Sequence, residues 1–199
     1  MAKIENPEAE EKKLIYKNGK MGQDRDIWEE YENLEAGEYY MYVEFDWPDN
    51  VQHTEFSVSC YGAAKTYFLR DEKSQFDQDT LLRELMASCA EQKLAEGKVT
   101  NFTEQGAPDL TKYFAITEEG YGYVHVVNNE TEARYREHIN YTKFDKLQLM
   151  KPFKGTSYDI EVKPGEKKTI VFRQMDPTGF SMASQIMMSA VLHGPEKLK

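Results

Sequence analysis

The chain has 199 residues with 35 acidic and 25 basic side chains, so its net charge is −10. This charge excludes a general attraction to the phosphates of nucleic acids, and the length suits one domain with short arms. No apolar run of about 18 residues occurs and the N-terminus lacks an apolar leader, so we expect a cytoplasmic protein that neither spans a membrane nor is secreted.

The first 24 residues are charged, contain Pro7 and lack periodicity, which predicts an extended or disordered N-terminal arm. Within this arm, residues 14–16 have the composition of a short edge strand. Apolar residues between positions 27 and 34 fit either a short helix or an irregular strand, because so short a segment has no decisive period. We place the main domain at residues 25–180.

Residues 37–47 alternate in polarity with period two, which is typical of a half-buried strand. Residues 54–61 alternate likewise, and the Pro-Asp-Asn turn at 48–50 predicts an antiparallel hairpin between the two runs. We expect the core face of the first run to carry five large side chains: Tyr39, Met41, Val43, Phe45 and Trp47. Tyr40 and Tyr42 then lie on the opposite face, where they need a second layer or a partner protein.

Gly62 interrupts this pattern, either as a turn that leads to a third strand or as a bulge within the second. Residues 79–96 then predict an inserted amphipathic helix that begins at Asp79 or Thr80 and ends before Gly97. Its apolar stripe consists of Leu81, Leu82, Leu85, Met86 and Cys89. This stripe needs cover from the sheet of its own domain or from a partner.

The rest of the chain contains several short runs with turn signals between them. Residues 99–102, 113–116, 120–127 and 147–149 predict strands, and residues 158–162 and 169–172 predict a second hairpin. Residues 130–138 predict a solvated helical turn, because Glu130 and Glu132 each precede an arginine by four positions. The C-terminal segment, residues 181–199, predicts an amphipathic helix with a tail, whose apolar face holds Met182, Ile186, Met187 and Val191. The fold class is therefore mainly β, an antiparallel β-sandwich with one or two inserted or peripheral α-helices.

Five segments carry a resemblance to a known family: Leu-Glu-Ala-Gly-Glu-Tyr at 34–39, Glu-Phe-Ser-Val-Ser-Cys-Tyr at 55–61, Gly-Thr-Ser-Tyr at 155–158, Val-Lys-Pro-Gly at 162–165 and Asp-Pro-Thr-Gly-Phe at 176–180. In this order they resemble the β-sandwich region of calpain-family cysteine proteases of protists. The resemblance covers roughly residues 27 to 185. It implies the C2-like accessory sandwich, of the calpain domain III type, without the catalytic domain.

The catalytic residues of such a protease are missing from the pattern. Papain-type chemistry needs a cysteine thiolate, usually followed by Trp at a helix N-terminus, together with a histidine. Cys60 precedes Tyr61 in a predicted strand, and Cys89 lies in mid-helix on the apolar face, so we expect two reduced core thiols. The histidines lack the sequence context of the family, and they are His53, His125, His138 and His193. We therefore predict no enzymatic activity.

The resemblance also implies a relation to calcium-binding sandwiches, in which aspartates from loops at one end hold the ion. Two acidic loops supply candidate ligands, and these are Asp46, Asp49, Asp71 and Asp77. Calcium takes about six to eight oxygen ligands, so both loops must meet, which requires Gly62 to be a turn. The alternative is that both loops are solvated and bind no cofactor.

Partner-binding candidates come from three regions of the sequence. Lys143 and Lys146 belong to a basic concentration that either meets an acidic lipid or protein surface or protects an edge strand from pairing. The other candidates are Tyr40, Tyr42, Met182, Ile186 and Met187. The leading hypothesis is a non-catalytic structural subunit that binds protein partners in a larger assembly, by analogy a cytoskeletal or ciliary (axonemal) one. The alternatives are a calcium-dependent regulatory or membrane-binding domain and a regulatory subunit of a calpain-like protease.

Overall fold

The structure is a computed structural model, and it describes residues 1–9, 13–17, 19–22, 26–45, 47, 50, 55–69, 77–97, 100–104, 107–117, 120–176 and 178–193. For residue 78 and residues 100–104 it describes the backbone alone. These residues form three antiparallel β-sheets and one α-helix. The prediction of a mainly-β fold is confirmed.

The helix and the strands follow one another in a simple order. They are β1 (Ala2–Glu5), β2 (Lys13–Tyr16), β3 (Tyr39–Tyr40), α1 (Gln78–Ala95), β4 (Thr100–Glu104), β5 (Ala107–Ile116), β6 (Tyr121–Asn128), β7 (Ala133–Asp145), β8 (Leu147–Leu149), β9 (Ser157–Val162), β10 (Lys167–Gln174) and β11 (Ser181–His193). An N-terminal sheet has the strand order β2-β1-β3, a central sheet has the order β4-β5-β6-β10-β8, and an outer sheet has the order β11-β7-β9.

The central sheet contributes side chains to two hydrophobic cores. The first core joins it to the outer sheet and includes Leu110, Val126, Phe172, Tyr135, Ile139 and Ile160. The second joins its other face to α1 and the N-terminal sheet, and includes Tyr123, Val171, Leu85, Met86 and Ile4. In the ladder between β6 and β10, Gly122 lies opposite Phe172, whose ring occupies the space that a Cβ atom would need.

Helix α1 begins after Asp77, whose carboxylate accepts a hydrogen bond of 2.8 Å from the Thr80 amide. The N-cap is thus Asp77, two residues before the earlier of the two predicted positions. Of the two alternatives for the apolar stripe, the structure shows packing on its own domain, with Leu81 partly buried and with Leu82, Leu85, Met86 and Cys89 fully buried. Most helical stability in proteins comes from such packing of an apolar face, so this burial stabilises α1.

The N-terminal arm is extended where the structure describes it. Strand β1 pairs with β2, and the side chains of Ala2, Ile4, Leu14 and Tyr16 are buried in the second core. The predicted edge strand at residues 14–16 is confirmed, because β2 is an edge of the N-terminal sheet.

The run at residues 39–47 alternates as expected, but the predicted core face is wrong. Its large apolar side chains are exposed, namely Met41, Val43, Phe45 and Trp47. Tyr40 and Tyr42 pack against the second core instead. The cause is Glu44, whose carboxylate forms an ion pair with Arg173 of β10 and accepts a hydrogen bond of 2.7 Å from the Tyr121 hydroxyl. Because a part-buried carboxylate needs such partners, the side of the run that carries Glu44 faces inward.

The predicted hairpin that follows is wrong in its described part. Residues 55–61 and 65–69 form no strand, and the chain bends at residues 62–64. The choice between a turn and a bulge at Gly62 therefore does not arise. Residues 27–31 are irregular, with neither helix nor strand. A segment whose side chains alternate becomes a strand only when a neighbouring strand bonds its backbone N–H and C=O groups. In the described ranges, no strand lies beside residues 55–69.

The predicted helical turn at residues 130–138 is wrong, because β7 begins at Ala133. Arg134 pairs with Glu161 across the ladder at 3.2 Å, while Glu130 accepts a hydrogen bond from the Asp109 amide. A helical ion pair contributes only about 0.2–0.5 kcal/mol. Pairing with β11 on one side and β9 on the other supplies backbone hydrogen bonds along this segment, so it outweighs the local helical preference.

Strands β9 and β10 do not form the predicted hairpin, since β9 pairs with β7 and β10 pairs with β6 and β8. The turn at 163–166 instead passes from the outer sheet to the central sheet. Asn128 holds this crossing: its buried amide nitrogen donates to the carbonyls of Ala133 at 2.8 Å and Val162 at 3.0 Å. Its backbone carbonyl accepts from Gly165 at 2.8 Å. Asn128 of the central sheet thus bonds the outer sheet at Ala133 and Val162 and the turn at Gly165.

The predicted C-terminal helix is wrong, because residues 181–193 form strand β11. This strand pairs with β7 along its length, with irregularities at 183/184 and 186/188. Met182 and Val191 pack against the first core. A helix would leave one hydrogen-bonding side of β7 open, so strand pairing prevails over the helical spacing of the methionines. The predicted tail, residues 194–199, lies outside the described residues.

Candidate partner-binding edge

Strand β11 forms an edge of the outer sheet. It has 13 residues and pairs with β7 on one side; within the described part of the chain no strand pairs with its other side. Residues 181–192 contain no charged side chain, and residues 183–189 are all exposed. A long, uncharged strand with open amide and carbonyl groups is a template for the addition of another strand.

The core-facing side of this edge is also open. Ile186 lies opposite the buried Ile139 in the ladder, so both side chains point to the same face of the sheet. Ile186 is nevertheless 58% exposed, and the adjacent Met187 is 55% exposed. The middle of β11 therefore presents apolar side chains together with its open backbone.

The opposite edge of the same sheet has different chemistry. Strand β9 has six residues, and its outward side chains include Asp159 and Glu161. Glu161 pairs with Arg134 at 3.2 Å and with Arg136 at 3.6 Å, and Asp159 lies 3.7 Å from His138. A short strand with paired charges resists the addition of another strand.

Several predicted partner-binding residues meet at β11, although the predicted element was a helix. Met182, Ile186 and Met187 lie on the strand itself, and Lys143 lies beside it, opposite Ala183. Lys146 follows β7 and pairs with Asp176 at 2.6 Å. That ammonium group, with hydrogen bonds from Thr178, holds the pKa of the Asp176 carboxyl below its usual range. The remaining candidates, Tyr40 and Tyr42, lie at the second core, away from this edge.

Sequence reasoning missed a buried polar cluster behind this edge. Glu137 of β7 is 1% exposed and pairs with Lys112 of β5 at 2.7 Å, which links the outer and central sheets. Its carboxylate also accepts hydrogen bonds from the hydroxyls of Tyr135 and, at 2.8 Å, Tyr158. The available signal was the alternation of residues 133–141, which places Glu137 among the core-facing positions.

The tyrosines of this cluster remain neutral at ordinary pH. Burial, together with Glu137, raises the pKa of Tyr135 and of Tyr158 above the usual range, and raises the pKa of Tyr141 to about 12. The Tyr135 hydroxyl lies 3.3 Å from the Ser189 hydroxyl of β11. The cluster therefore connects the central sheet, through β7, to the open edge.

Among the described residues, no hydrogen bond joins either cysteine to the buried His125. Burial raises the pKa of the Cys89 thiol, which lies beside the Tyr123 hydroxyl. His125 is buried and its Nδ1 lies 2.9 Å from the Thr169 hydroxyl, while burial lowers the pKa of its imidazole to about 4. Cys60 is exposed rather than buried in the core, and its sulfur lies 3.7 Å from the Thr66 hydroxyl.

Only one of the four calcium candidates lies within the described residues. Asp46, Asp49 and Asp71 lie outside the described residues. Asp77 is described, and its carboxylate caps α1 through the Thr80 amide, which also lowers the pKa of Asp77. Among the described residues, no group of three His, Cys, Asp or Glu side chains is arranged to hold a metal ion. The same residues include no helix with the length and hydrophobicity to cross a membrane.

Comparisons with known proteins add no relative: no family model, no curated protein and no solved structure matches the chain. The resemblance to calpain-family sandwiches stays a prediction, as do the calcium and protease-subunit hypotheses. The geometry of β11 and its surroundings is what supports a function.

Proposed function

We propose that this chain is a non-catalytic protein-interaction subunit that joins a larger cytoplasmic assembly by pairing β11 with a strand from a partner. The observation that carries the proposal is the open edge of 13 residues, without charge over residues 181–192. In such complexes the backbone hydrogen bonds provide affinity, and pockets or side chains along the edge provide specificity.

The surroundings of β11 suit this role because they hold the edge in place. Strand β7 anchors β11 along its whole length, and β7 itself is held to the central sheet by the Lys112–Glu137 ion pair. Met182 and Val191 fix the two ends of β11 to the first core. A partner strand thus meets a preformed edge, and little ordering of this chain is needed on binding.

The thiols support a non-catalytic role. A cysteine nucleophile reacts as a thiolate, and enzymes lower its pKa with a nearby imidazolium or a helix N-terminus. Cys89 lies inside α1 under the central sheet, with a pKa that burial raises. Cys60 lies on an irregular, exposed segment.

The test is affinity purification of the tagged full chain from its native cell, with the partners identified by mass spectrometry. The informative variant is Ile186→Lys, because an added strand would cover the core-facing ammonium group. Ala95→Lys adds the same charge at an exposed position of α1 and is the matched control. Ile186→Thr keeps a β-branched side chain and an uncharged edge.

We expect the wild-type chain and the Ala95→Lys control to retain the same partner, and the Ile186→Lys variant to lose it. Hydrogen exchange of the complex should show slower amide exchange in β11 than in the free chain. If Ile186→Lys folds and keeps every partner, β11 is not the binding edge and the proposal is wrong.

A further inference from the structure

We propose that the strand added to β11 is β11 of a second copy of this chain, so that two outer sheets form one continuous sheet across a dimer. This inference rests on the proposed function, because it identifies the partner of the same edge. The two strands run antiparallel about a twofold axis near Met187, the middle residue of β11.

Charge is the first reason to choose a second copy. Each chain carries a net charge of −10, so two copies repel each other over most of their surfaces. Residues 181–192 contribute none of that charge. When two such strands pair, no register places like charges opposite each other, which is the arrangement that destabilises cross-strand pairs. The neutral edge is thus the place where two acidic copies meet at the lowest electrostatic cost.

Symmetry is the second reason. An antiparallel pair of identical strands is a closed, isologous contact in which each copy uses the same surface. The irregularity of β11 at 186/188 lies at the centre of the strand, so it lies at the twofold axis in both copies. The two strands then bend at the same place, and the regular halves on either side remain free to pair.

The uncovered apolar side chains give the third reason. Ile186 faces the core side of the outer sheet but is 58% exposed, and Met187 is 55% exposed. About a twofold axis near Met187, these residues lie next to their counterparts from the other copy. The same contact that bonds the open backbone thus removes the central apolar side chains from water.

The size of the contact sets the strength of the dimer. A 13-residue strand is smaller than the roughly 20–30 residues per side of a standard stable interface. We therefore expect a weak dimer with a Kd on the order of micromolar, which forms as the concentration rises.

Sedimentation equilibrium of the purified full chain tests this inference over a range of concentrations. We expect a reversible monomer–dimer equilibrium that Ile186→Lys weakens by at least about tenfold, or about 1.4 kcal/mol. Ala95→Lys should change the dimer Kd by less than about threefold, and Ile186→Thr, which shortens the apolar side chain but keeps the edge uncharged, should weaken the dimer less than Ile186→Lys does. Circular dichroism and the melting temperature show whether the Ile186→Lys variant remains folded.

Disulfide trapping locates the contact independently of any destabilising change. In a Cys60→Ser background, Met187→Cys places one exposed thiol near the proposed axis, while the buried Cys89 stays in the second core. Opposite residues of an antiparallel pair have the Cα separation that a disulfide needs. Mild oxidation should yield a covalent dimer from Met187→Cys and little from the control, Ala95→Cys.

Two results would overturn the inference. One is a wild-type chain that stays monomeric at the highest soluble concentration, and the other is a dimer that neither Ile186→Lys nor the position of the cysteine affects. Either result leaves the proposed function to be decided separately, because the purification from native cells tests a strand from a different protein. Slow amide exchange in β11 of that complex, with a monomeric pure chain, would identify such a partner as the occupant of the edge.

Discussion

The two edge strands of the outer sheet, β9 and β11, both pair with β7, but they differ in how readily their open sides can accept another strand. β9 has six residues and carries Asp159 and Glu161, which pair with basic side chains of β7. β11 has 13 residues and is free of charge over residues 181–192. Charge and shortness are the usual protections of an exposed edge. The contrast teaches that the same sheet is closed on one side and open on the other.

The largest effect should come from the cluster that holds β7, because β7 supports both edges. Replacing Glu137 by Leu leaves the Lys112 ammonium buried without its carboxylate. We expect a loss of about 3–5 kcal/mol in the free energy of unfolding, measured by urea denaturation. The double variant Lys112→Met/Glu137→Leu should recover part of that loss, because the hydroxyls of Tyr135 and Tyr158 still lack the carboxylate that accepts their hydrogen bonds. A single variant as stable as wild type would show that the pair does not hold the sheets together.

Acid should destabilise the body of the protein through the buried imidazole of His125. Burial lowers the pKa of His125 to about 4 in the folded state, against 6.5 for a free imidazole. As the pH falls, the unfolded chain therefore binds this proton before the folded chain does. The protein thus keeps its full free energy of unfolding above pH 6.5 and loses part of it as the pH falls towards 4. The difference between the folded and unfolded pKa values of His125 corresponds to a loss of about 3 kcal/mol in the free energy of unfolding.

The charged groups that act on His125 are Glu91 of α1 and Lys167 of β10, which pair with each other at 2.5 Å. His125→Gln should reduce the pH dependence of urea denaturation between pH 6.5 and 4, compared with wild type at the same pH values. An unchanged pH profile in this variant would mean that another group dominates the acid transition.

A smaller loss should follow Asn128→Ala, which acts on the closed side of the outer sheet. This substitution removes the hydrogen bonds to the carbonyls of Ala133 and Val162. We expect a loss of about 2 kcal/mol in the free energy of unfolding, with faster amide exchange near the turn at 163–166. If exchange is faster in β11 and unchanged at that turn, Asn128 does not act on the crossing between the sheets.

The smallest loss of stability is expected from a variant of β9 that should change the oligomeric state of the protein. Asp159→Asn/Glu161→Gln removes the negative charges from β9, at a cost of about 1 kcal/mol or less because these pairs are partly exposed. The variant then has two uncharged edges on one sheet. We expect oligomers larger than a dimer in sedimentation velocity, whereas Ile186→Lys in the same background should restore a small species. An unchanged size distribution would show that charge is not what closes β9.

Much of the fold was predictable where a segment has one clear period and one available neighbour. The apolar stripe of α1 and the strands β6 and β8 agree with the predictions. In each case the local pattern and the tertiary contact require the same conformation, so no competing interaction overturned it.

The predictions failed where a segment could form either a helix or a strand and contacts with a distant part of the chain decided between them. Residues 130–136 contain the spacing of helical ion pairs and residues 133–141 a period of two, and pairing with β9 and β11 selected the strand. The candidate residues Met182, Ile186 and Met187 were recognised as a contact surface, but their helix was wrong. Glu137 was missed because only strand geometry turns it towards Lys112.

The sequence by itself determined the mainly-β class, the extent of α1 to within about two residues, and the uncharged character of residues 181–192. The tertiary structure decided which face of residues 39–47 is buried, which sheets β9 and β10 join, and that the uncharged segment is an open edge strand. The physical reason is that periodicity shows which side chains share a face. The hydrogen-bond and ion-pair partners that cover a face come from distant parts of the chain.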